Sequence, residues 1–125
     1  NIISGTIMLI NEYNSIMRQS DVQNLAELLK DYDRAEPIEK AELISKIDKI
    51  TDSYTDLFAL FRLKSAAEEA LNGHGTGALG ETNAQEDAEY LKRQHDHVLS
   101  LFQTGKRDEG YAVLNESIVV AVKYL

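Results

Sequence analysis

The sequence has no cysteine, no tryptophan and a single proline in 125 residues. Without cysteine there can be no disulfide framework, no cysteine-ligated zinc site and no thiol nucleophile. Positive charge is also scarce, since 13 lysines and arginines stand against 21 aspartates and glutamates, a formal net charge of −8. Binding to nucleic acid or to an anionic membrane through general charge attraction is therefore not expected, because both require positive potential.

Long hydrophobic runs are missing as well. No apolar stretch approaches the roughly 20 residues that a membrane-spanning helix requires, and no signal peptide is visible at the start. Hydrophobic residues still make up 43% of the chain, which is enough for a folded core. Because proline is so scarce, the sequence predicts long uninterrupted helices.

Both ends of the chain are apolar and helical in pattern. The sequence begins Asn1-Ile2-Ile3 and closes on an apolar stretch from Ser117 to Leu125. Neither end shows a convincing cap, and helices that begin and stop without caps are expected to be cut from something longer. These features favour a processed or excised piece of a larger protein.

Apolar residues at steps of three and four predict four amphipathic helices. Their expected ranges are 2–33, 37–72, 83–104 and 107–125. Pro37 suits the first turn of the second helix, Asn72-Gly73 marks its end, and Thr82 or Asn83 is expected to cap the third. Short connectors predict antiparallel neighbours, so residues 1–125 are expected to form one all-α domain, an up-down-up-down four-helix bundle.

The first helix is apolar on two sides. Its first line, expected to face the core, contains Ile3, Ile7, Ile10, Asn14 and Met17. Its second line contains Ile2, Leu9, Tyr13 and Ile16. A helix with two apolar faces usually has two neighbours, one inside its own bundle and one in a partner chain. The second line, or the neighbouring one, is therefore the predicted interface of a homodimer.

The usual arrangements of catalytic and metal-binding residues are missing from the sequence. No glutamate is followed by histidine three residues later, and His95 and His97 project from nearly opposite sides of one helix. No nucleophile–base pair can be assembled. Neither an enzyme nor a cofactor is therefore predicted, although haem held by His95 stays open as an alternative.

Several polar residues interrupt the apolar lines, and buried polar groups need partners. The candidates for a ligand-binding site are Asn14, Arg18, Asp21, Tyr54, His95, Tyr111 and Asn115. If the hairpin tips are level, Arg18 and Tyr54 share one height in the bundle, and Tyr111 and Asn115 lie nearer the height of His95. Such residues can instead bond to each other, to water or to a second subunit. A polar residue in a helix seam often has no role beyond fixing the register of the helices.

Two segments resemble a known family. Residues 31–50, which run from Asp31-Tyr32-Asp33 through Pro37 to Ile50, are similar to the first hairpin of the four-helix-bundle ligand-binding domains of bacterial methyl-accepting chemotaxis proteins. Residues 102–114, with Gly105 in the turn, are similar to the second hairpin of the same domains. The resemblance covers essentially the whole chain, and it lies in helix lengths, turn positions and hydrophobic pattern.

The resemblance implies a periplasmic sensor domain that projects from the cytoplasmic membrane between two transmembrane helices outside these residues. It implies a homodimer formed through the first helix and a small displacement of the fourth helix when a ligand binds. The predicted ligand is an amino acid, an organic acid or an amine. Well-known members hold a carboxylate with arginines on the first helix, and Arg18 is the arginine that this helix offers before its tip.

Other functions stay open at this point. The same bundle suits the sensor domain of a histidine kinase or of a diguanylate cyclase, and the flanking sequence would separate these from a chemoreceptor. A soluble helical adaptor that binds a partner helix in a groove belongs to a different class. A haem-binding four-helix bundle is the remaining alternative.

Overall fold

The computed structural model describes residues 1–72 and 84–125, and within these ranges every regular element is a helix. The α-helices are α1 (Ile2–Tyr13), α2 (Gln19–Arg34), α3 (Pro37–Thr51), α4 (Thr55–Leu71), α5 (Ala84–Gln103) and α6 (Arg107–Ala121). Short 3₁₀ helices cover Asn14–Ile16, Asp52–Tyr54 and Val122–Tyr124. The all-α prediction is confirmed for these ranges, whereas the predicted connector after Asn72 and the caps Thr82 and Asn83 lie outside them.

The chain divides into two compact units, Asn1–Phe58 and Ala59–Leu125. In the first unit α2 and α3 pack as a hairpin, and α1 packs against both of them. In the second unit α5 and α6 form the main hairpin. The single four-helix bundle predicted for residues 1–125 stays a prediction. None of the helices in the described ranges combines the length and the hydrophobicity that a membrane span requires.

The continuous first helix predicted over residues 2–33 is wrong, because the chain leaves the helical conformation between α1 and α2. Met17 and Arg18 have extended backbones, with ψ angles of 157° and 132°. Asn14 contributes to the break: its side-chain amide donates to the carbonyl of Ile10 over 2.8 Å and so competes with the helical ladder. Met17 is buried, so the extended segment also places an apolar side chain in the core.

The buried face of α1 is the second apolar line, not the first. Leu9 and Tyr13 are fully buried, whereas Ile7 is 46% exposed and Ile3 and Ile10 are half-buried. Leu9 and Tyr13 therefore have no surface left for a partner chain, which corrects their assignment to the dimer interface. The other two residues of that assignment, Ile2 and Ile16, are half-buried.

The start of α1 is capped, contrary to the prediction for this end of the chain. The side-chain oxygen of Asn1 accepts a hydrogen bond of 2.9 Å from the backbone N–H of Ser4. Asparagine is among the preferred N-cap residues, because its side chain satisfies an amide that the helix leaves without a partner. The prediction that this helix begins without a cap is therefore wrong.

The predicted start of the second helix is confirmed. Pro37 is the first residue of α3, and the preceding Glu36 is extended with ψ 159°. The missing N–H of proline costs nothing there, since the first turn has no intrahelical partner for it. Helical backbone angles continue through the 3₁₀ helix Asp52–Tyr54 into α4.

The turn between α5 and α6 is a Schellman motif. Gly105 has φ 79°, a left-handed conformation that glycine adopts without a Cβ penalty. The N–H of Lys106 donates to the carbonyl of Leu101 over 2.8 Å, and the N–H of Gly105 donates to that of Phe102 over 3.3 Å. These bonds satisfy carbonyls at the end of α5 and turn the chain sharply into α6.

Aromatic packing closes the same end of the hairpin. The Phe102 ring lies against Gly110, where an added Cβ would come within 2.5 Å of ring atom Cε1. Tyr111 meets this ring edge-on with a centroid separation of 5.5 Å, and the Arg107 guanidinium lies 5.6 Å from the ring centroid. Glycine at position 110 thus allows α6 to approach α5 closely.

Candidate functional site

Three of the predicted site residues meet at the start of α2. The Tyr54 hydroxyl donates a hydrogen bond of 2.5 Å to Oδ2 of Asp21 and accepts one of 3.1 Å from the backbone N–H of Arg18. Tyr54 is 6% exposed, whereas Arg18 is exposed. The prediction that Arg18 and Tyr54 lie at one height is confirmed by this contact.

The cluster completes the N-terminus of α2. Arg18 is the N-cap residue, and its own side chain makes no capping bond. In a capping box, a glutamate three residues after the cap accepts a hydrogen bond from the backbone N–H of the cap residue. Asp21 holds that position with a side chain one methylene shorter, and the Tyr54 hydroxyl bridges the N–H and the carboxylate. The positive end of the α2 dipole also favours the negative charge of Asp21.

The electrostatics of the cluster keep the phenol protonated. Burial raises the pKa of Tyr54, the hydrogen bond to Asp21 raises it further, and the backbone contact with Arg18 opposes the rise. In the part of the chain that the structure describes, every buried side-chain nitrogen or oxygen has a hydrogen-bond partner. The buried groups of the cluster are therefore satisfied within the chain, and the exposed group of the cluster is the side chain of Arg18.

Asn14 lies at the same break but belongs to the end of α1. Its side chain donates to the Ile10 carbonyl, and its own carbonyl accepts a 3.2 Å hydrogen bond from the Gln19 side chain. The residue is exposed. Asn14 therefore holds the two sides of the break together next to the Tyr54 cluster.

The other three predicted site residues lie in the second unit. His95 is buried on α5, with its Nδ1 atom 3.1 Å from a carboxylate oxygen of Asp96. Tyr111 packs on Phe102, and Asn115 is exposed one turn further along α6. His95 and Tyr111 thus have neighbours on α5 itself. The described residues contain no group of three or more His, Cys, Asp or Glu that could hold a metal ion.

A second tyrosine–aspartate pair lies in the second unit, where the sequence pattern did not reveal it. The Tyr124 hydroxyl donates a 2.5 Å hydrogen bond to Oδ2 of Asp87, and Lys123 Nζ lies 3.4 Å from the same oxygen. Tyr124 is 3% exposed. Glu86-Asp87 looks like a solvated charged face in the sequence, which conceals the pair. The available signal was a tyrosine within the last apolar stretch, since a buried phenol requires a partner.

The two pairs have the same design. Each aspartate lies in the first turn of the first helix of its hairpin. Each tyrosine is the last residue of the 3₁₀ helix that follows the second helix of the same hairpin. The spacing within the two hairpins is also the same. The number of positions from Pro37, the first residue of α3, to Tyr54 equals the number from Arg107, the first residue of α6, to Tyr124. In each unit one tyrosine–aspartate bond therefore fastens the hairpin at the end opposite its turn.

A surface cleft of about 430 Å³ lies elsewhere in the first unit, beside the turn between α2 and α3. It is lined by Asp31, Arg34, Ala35, Glu39, Glu42, Leu43 and Lys46. None of the predicted site residues lines this cleft. Its acidic and basic side chains can hold opposite charges of a small polar molecule, so the cleft is a second position at which ligand binding has to be tested.

Comparison with known proteins finds no protein-family model, no curated protein and no solved structure that matches this chain. The arrangement of its own residues is therefore the basis for a functional proposal. The Tyr54 cluster combines a rigid polar support with one exposed guanidinium group. Such a group can bind an anion without any covalent chemistry.

Proposed function

We propose that the chain is a periplasmic ligand-sensing domain of a transmembrane chemoreceptor and that it binds a small polar molecule at the surface around Arg18. The observation that carries this proposal is the exposed side chain of Arg18, a residue whose backbone N–H is bonded to Tyr54 at the start of α2. The all-helical fold and the two hairpins support it, because domains of this kind consist of helical hairpins.

The proposed architecture is an antiparallel up-down-up-down bundle with four members. Its first member is α1 followed by α2, its second is α3 followed by α4, and α5 and α6 are the third and fourth. Membrane spans outside residues 1–125 would carry a displacement of the last member across the membrane. A ligand produces such a displacement only if it binds two helix arrangements with different affinity.

The chemistry around Arg18 favours an amino acid as the ligand. A guanidinium pairs with a carboxylate through two parallel hydrogen bonds, and the first amides of α2 favour the same negative charge. The Asp21 carboxylate nearby favours an ammonium group. The net charge of −8 disfavours a ligand with a large negative charge, so a zwitterion suits the site better than a dicarboxylate.

A thermal-shift screen against amino acids, organic acids and amines tests the proposal. A ligand present at 100 times its dissociation constant stabilises the folded state by about 2.7 kcal/mol, which raises the melting temperature by several degrees. Calorimetry on the best compound should then show at least a tenfold weaker affinity for Arg18→Ala. A screen in which no compound stabilises the chain would contradict the proposal.

Two further arginine variants serve as matched controls. Arg62→Ala removes an exposed arginine from α4, and it should leave the calorimetric affinity unchanged. Arg34→Ala removes the arginine of the cleft beside the α2–α3 turn. If Arg34→Ala abolishes binding and Arg18→Ala does not, the ligand occupies the cleft and the assignment of Arg18 is wrong.

A homodimer is part of the proposed function. Because Leu9 and Tyr13 are buried, the apolar surface that α1 offers is the line formed by Ile3, Ile7 and Ile10. This line includes the exposed Ile7 and ends near the break that holds Arg18. Pairing of two copies along it would bring both Arg18 side chains close to one interface.

A further inference from the structure

We propose that the bond between Tyr124 and Asp87 is a latch that holds the 3₁₀ turn Val122–Tyr124 on the first turn of α5. When the bond is made the turn is docked, and when it is broken the turn is released. The latch is a conformational device of the second unit. It rests on the proposed function only in what its release would signal.

One buried side chain anchors this turn. Tyr124 is the buried residue of the turn, whereas Val122 is 58% exposed and Lys123 is exposed. Asp87 accepts a hydrogen bond from the Tyr124 hydroxyl, and Lys123 reaches the same carboxylate oxygen. Release therefore gives up the burial of the phenol ring and the contacts of Tyr124 and Lys123, among them both bonds to the Asp87 carboxylate.

The two ends of the α5–α6 hairpin are held by different kinds of contact. The end near the turn is held by Phe102 against Gly110 and Tyr111, while the open end is held by the bond to Asp87. From Gly110 to Tyr124 the helical path spans about 20 Å, at roughly 1.5 Å for each residue. Leu114, Ser117 and Ala121 are buried between the two ends, so the turn beyond Ala121 can move while the aromatic contacts stay in place.

The short range of a hydrogen bond makes the latch respond to small displacements. An O–H···O bond requires a separation of about 2.5–3.0 Å, whereas apolar contact is not directional. Helix shifts of about 1–2 Å are common in switching proteins, and they exceed what this bond tolerates. A small movement of the end of α6 is thereby converted into a made or a broken contact.

Hydrogen exchange on the 125-residue chain tests whether the bond docks the turn. Tyr124→Phe keeps the ring and removes the hydroxyl, so the amides of residues 122–125 should exchange about 10-fold faster, as expected for the loss of one bond to a charged group. Tyr54→Phe is the matched control, since it breaks the equivalent bond of the other unit and should leave these amides unchanged. Unchanged exchange in Tyr124→Phe would overturn the proposal.

A distance measurement separates a latch from a contact that only stabilises the fold. Because the chain has no cysteine, Glu89→Cys and Val122→Cys introduce specific positions for a pair of spin labels on exposed residues of α5 and of the turn. We expect one narrow distance distribution with Tyr124 present and an added longer population in Tyr124→Phe. An identical distribution in both proteins would overturn the latch. Neither measurement uses a ligand, so a failed ligand screen does not affect the result.

Discussion

A phenol is suited to fastening a helical hairpin because its ring is apolar and its hydroxyl is both a donor and an acceptor. Tyr54 uses both capacities, since it donates to Asp21 and accepts from the Arg18 backbone. Tyr124 donates to a carboxylate that Lys123 also reaches. In both cases the ring is buried and the polar atom still has a partner, so burial of the side chain leaves no hydrogen bond unmade.

The alkaline stability of the chain should report on Tyr124. Burial, followed by the hydrogen bond and charge of Asp87, raises the pKa of Tyr124 from 10.0 to about 12. A tyrosine whose pKa is higher in the folded chain stabilises the fold fully below the unfolded value, and this contribution is lost as the pH rises through the folded value. The free energy of unfolding should therefore decrease between pH 10 and pH 12. Urea unfolding should show a smaller decrease for Tyr124→Phe, and equal decreases in both proteins would contradict the assignment.

Gly110 offers a test of the closed end of the second hairpin. In Gly110→Ala the new Cβ would lie 2.5 Å from Cε1 of Phe102, a ring that Tyr111 and Arg107 hold in place. Overpacking of this kind should lower the free energy of unfolding by about 1–3 kcal/mol in urea titrations. Glu116→Ala changes an exposed residue of the same helix, and it should stay within about 0.5 kcal/mol of the unsubstituted chain. A Gly110→Ala variant as stable as that control would show that the ring moves aside freely.

Among the helices, the break between α1 and α2 has the clearest structural cause. Asn14 diverts a carbonyl of α1, Met17 is buried in an extended conformation, and Tyr54 satisfies the N–H of Arg18 at the new helix start. The break thus supplies the amide that anchors Tyr54. A continuous helix would bond that amide internally and leave the phenol without this donor.

The bridged cap of α2 should be visible as coupling between two side chains. Tyr54→Phe and Asp21→Ala each remove one partner of the same bond, so their destabilising effects should not add. A double-mutant cycle measured by urea unfolding should give a coupling free energy of about 1–2 kcal/mol. Tyr32→Phe is a matched control that should show no coupling to Asp21→Ala, because the half-exposed Tyr32 ring lies under Lys40. Additive effects of Tyr54→Phe and Asp21→Ala would show that the Tyr54 hydroxyl does not bridge the start of α2.

The sequence predicts those features of the fold that depend on nearby residues. Pro37 locates the start of α3, and Gly105 locates the turn between α5 and α6. Which apolar line of α1 is buried depends on the neighbour that packs against it, so Leu9 and Tyr13 could not be distinguished from Ile3 and Ile7 by periodicity.

The candidate site was predictable to a similar extent. Counting residues from the hairpin tip placed Arg18 level with Tyr54, because the rise of a helix is constant. The pairing of Asp87 with Tyr124 spans 37 positions and joins an acidic stretch to an apolar one. Neither stretch has a local property that indicates the other, so only the packed hairpin reveals this bond.

At the scale of the whole molecule, the net charge of −8 opposes association of two copies. Each copy repels the other at low ionic strength, and salt screens exposed charges over about 10 Å at 0.1 M. Any dimer formed along the apolar line of α1 should therefore become stronger as salt is added. This behaviour distinguishes apolar pairing from pairing through ion pairs, which salt weakens.

Sedimentation equilibrium tests the proposed dimer. We expect weak association that increases from about 20 to about 200 mM salt, because the Debye length decreases over this range and screens the repulsion. Ile7→Glu should abolish it, since Ile7 is the exposed member of the α1 line at 46%. Ile38→Glu is the control, because Ile38 is 81% exposed beside the α2–α3 turn and away from that line. A monomer at all concentrations, with and without ligand, would contradict the dimer. An equal loss of association in both variants would show that the interface is not the α1 line.

The place of the Tyr124–Asp87 bond also determines how the second unit bears mechanical tension. Leu125 directly follows Tyr124, so a pull applied at residue 125 reaches this bond before it reaches any contact made by α6 itself. Because α5 and α6 are antiparallel, residue 125 and the start of α5 lie at the same end of the hairpin. A force that pulls them apart therefore loads this bond first, in the unzipping direction, and the aromatic packing at the far end bears load last. The second unit should therefore yield in two steps under force, with the first confined to the turn that contains Tyr124.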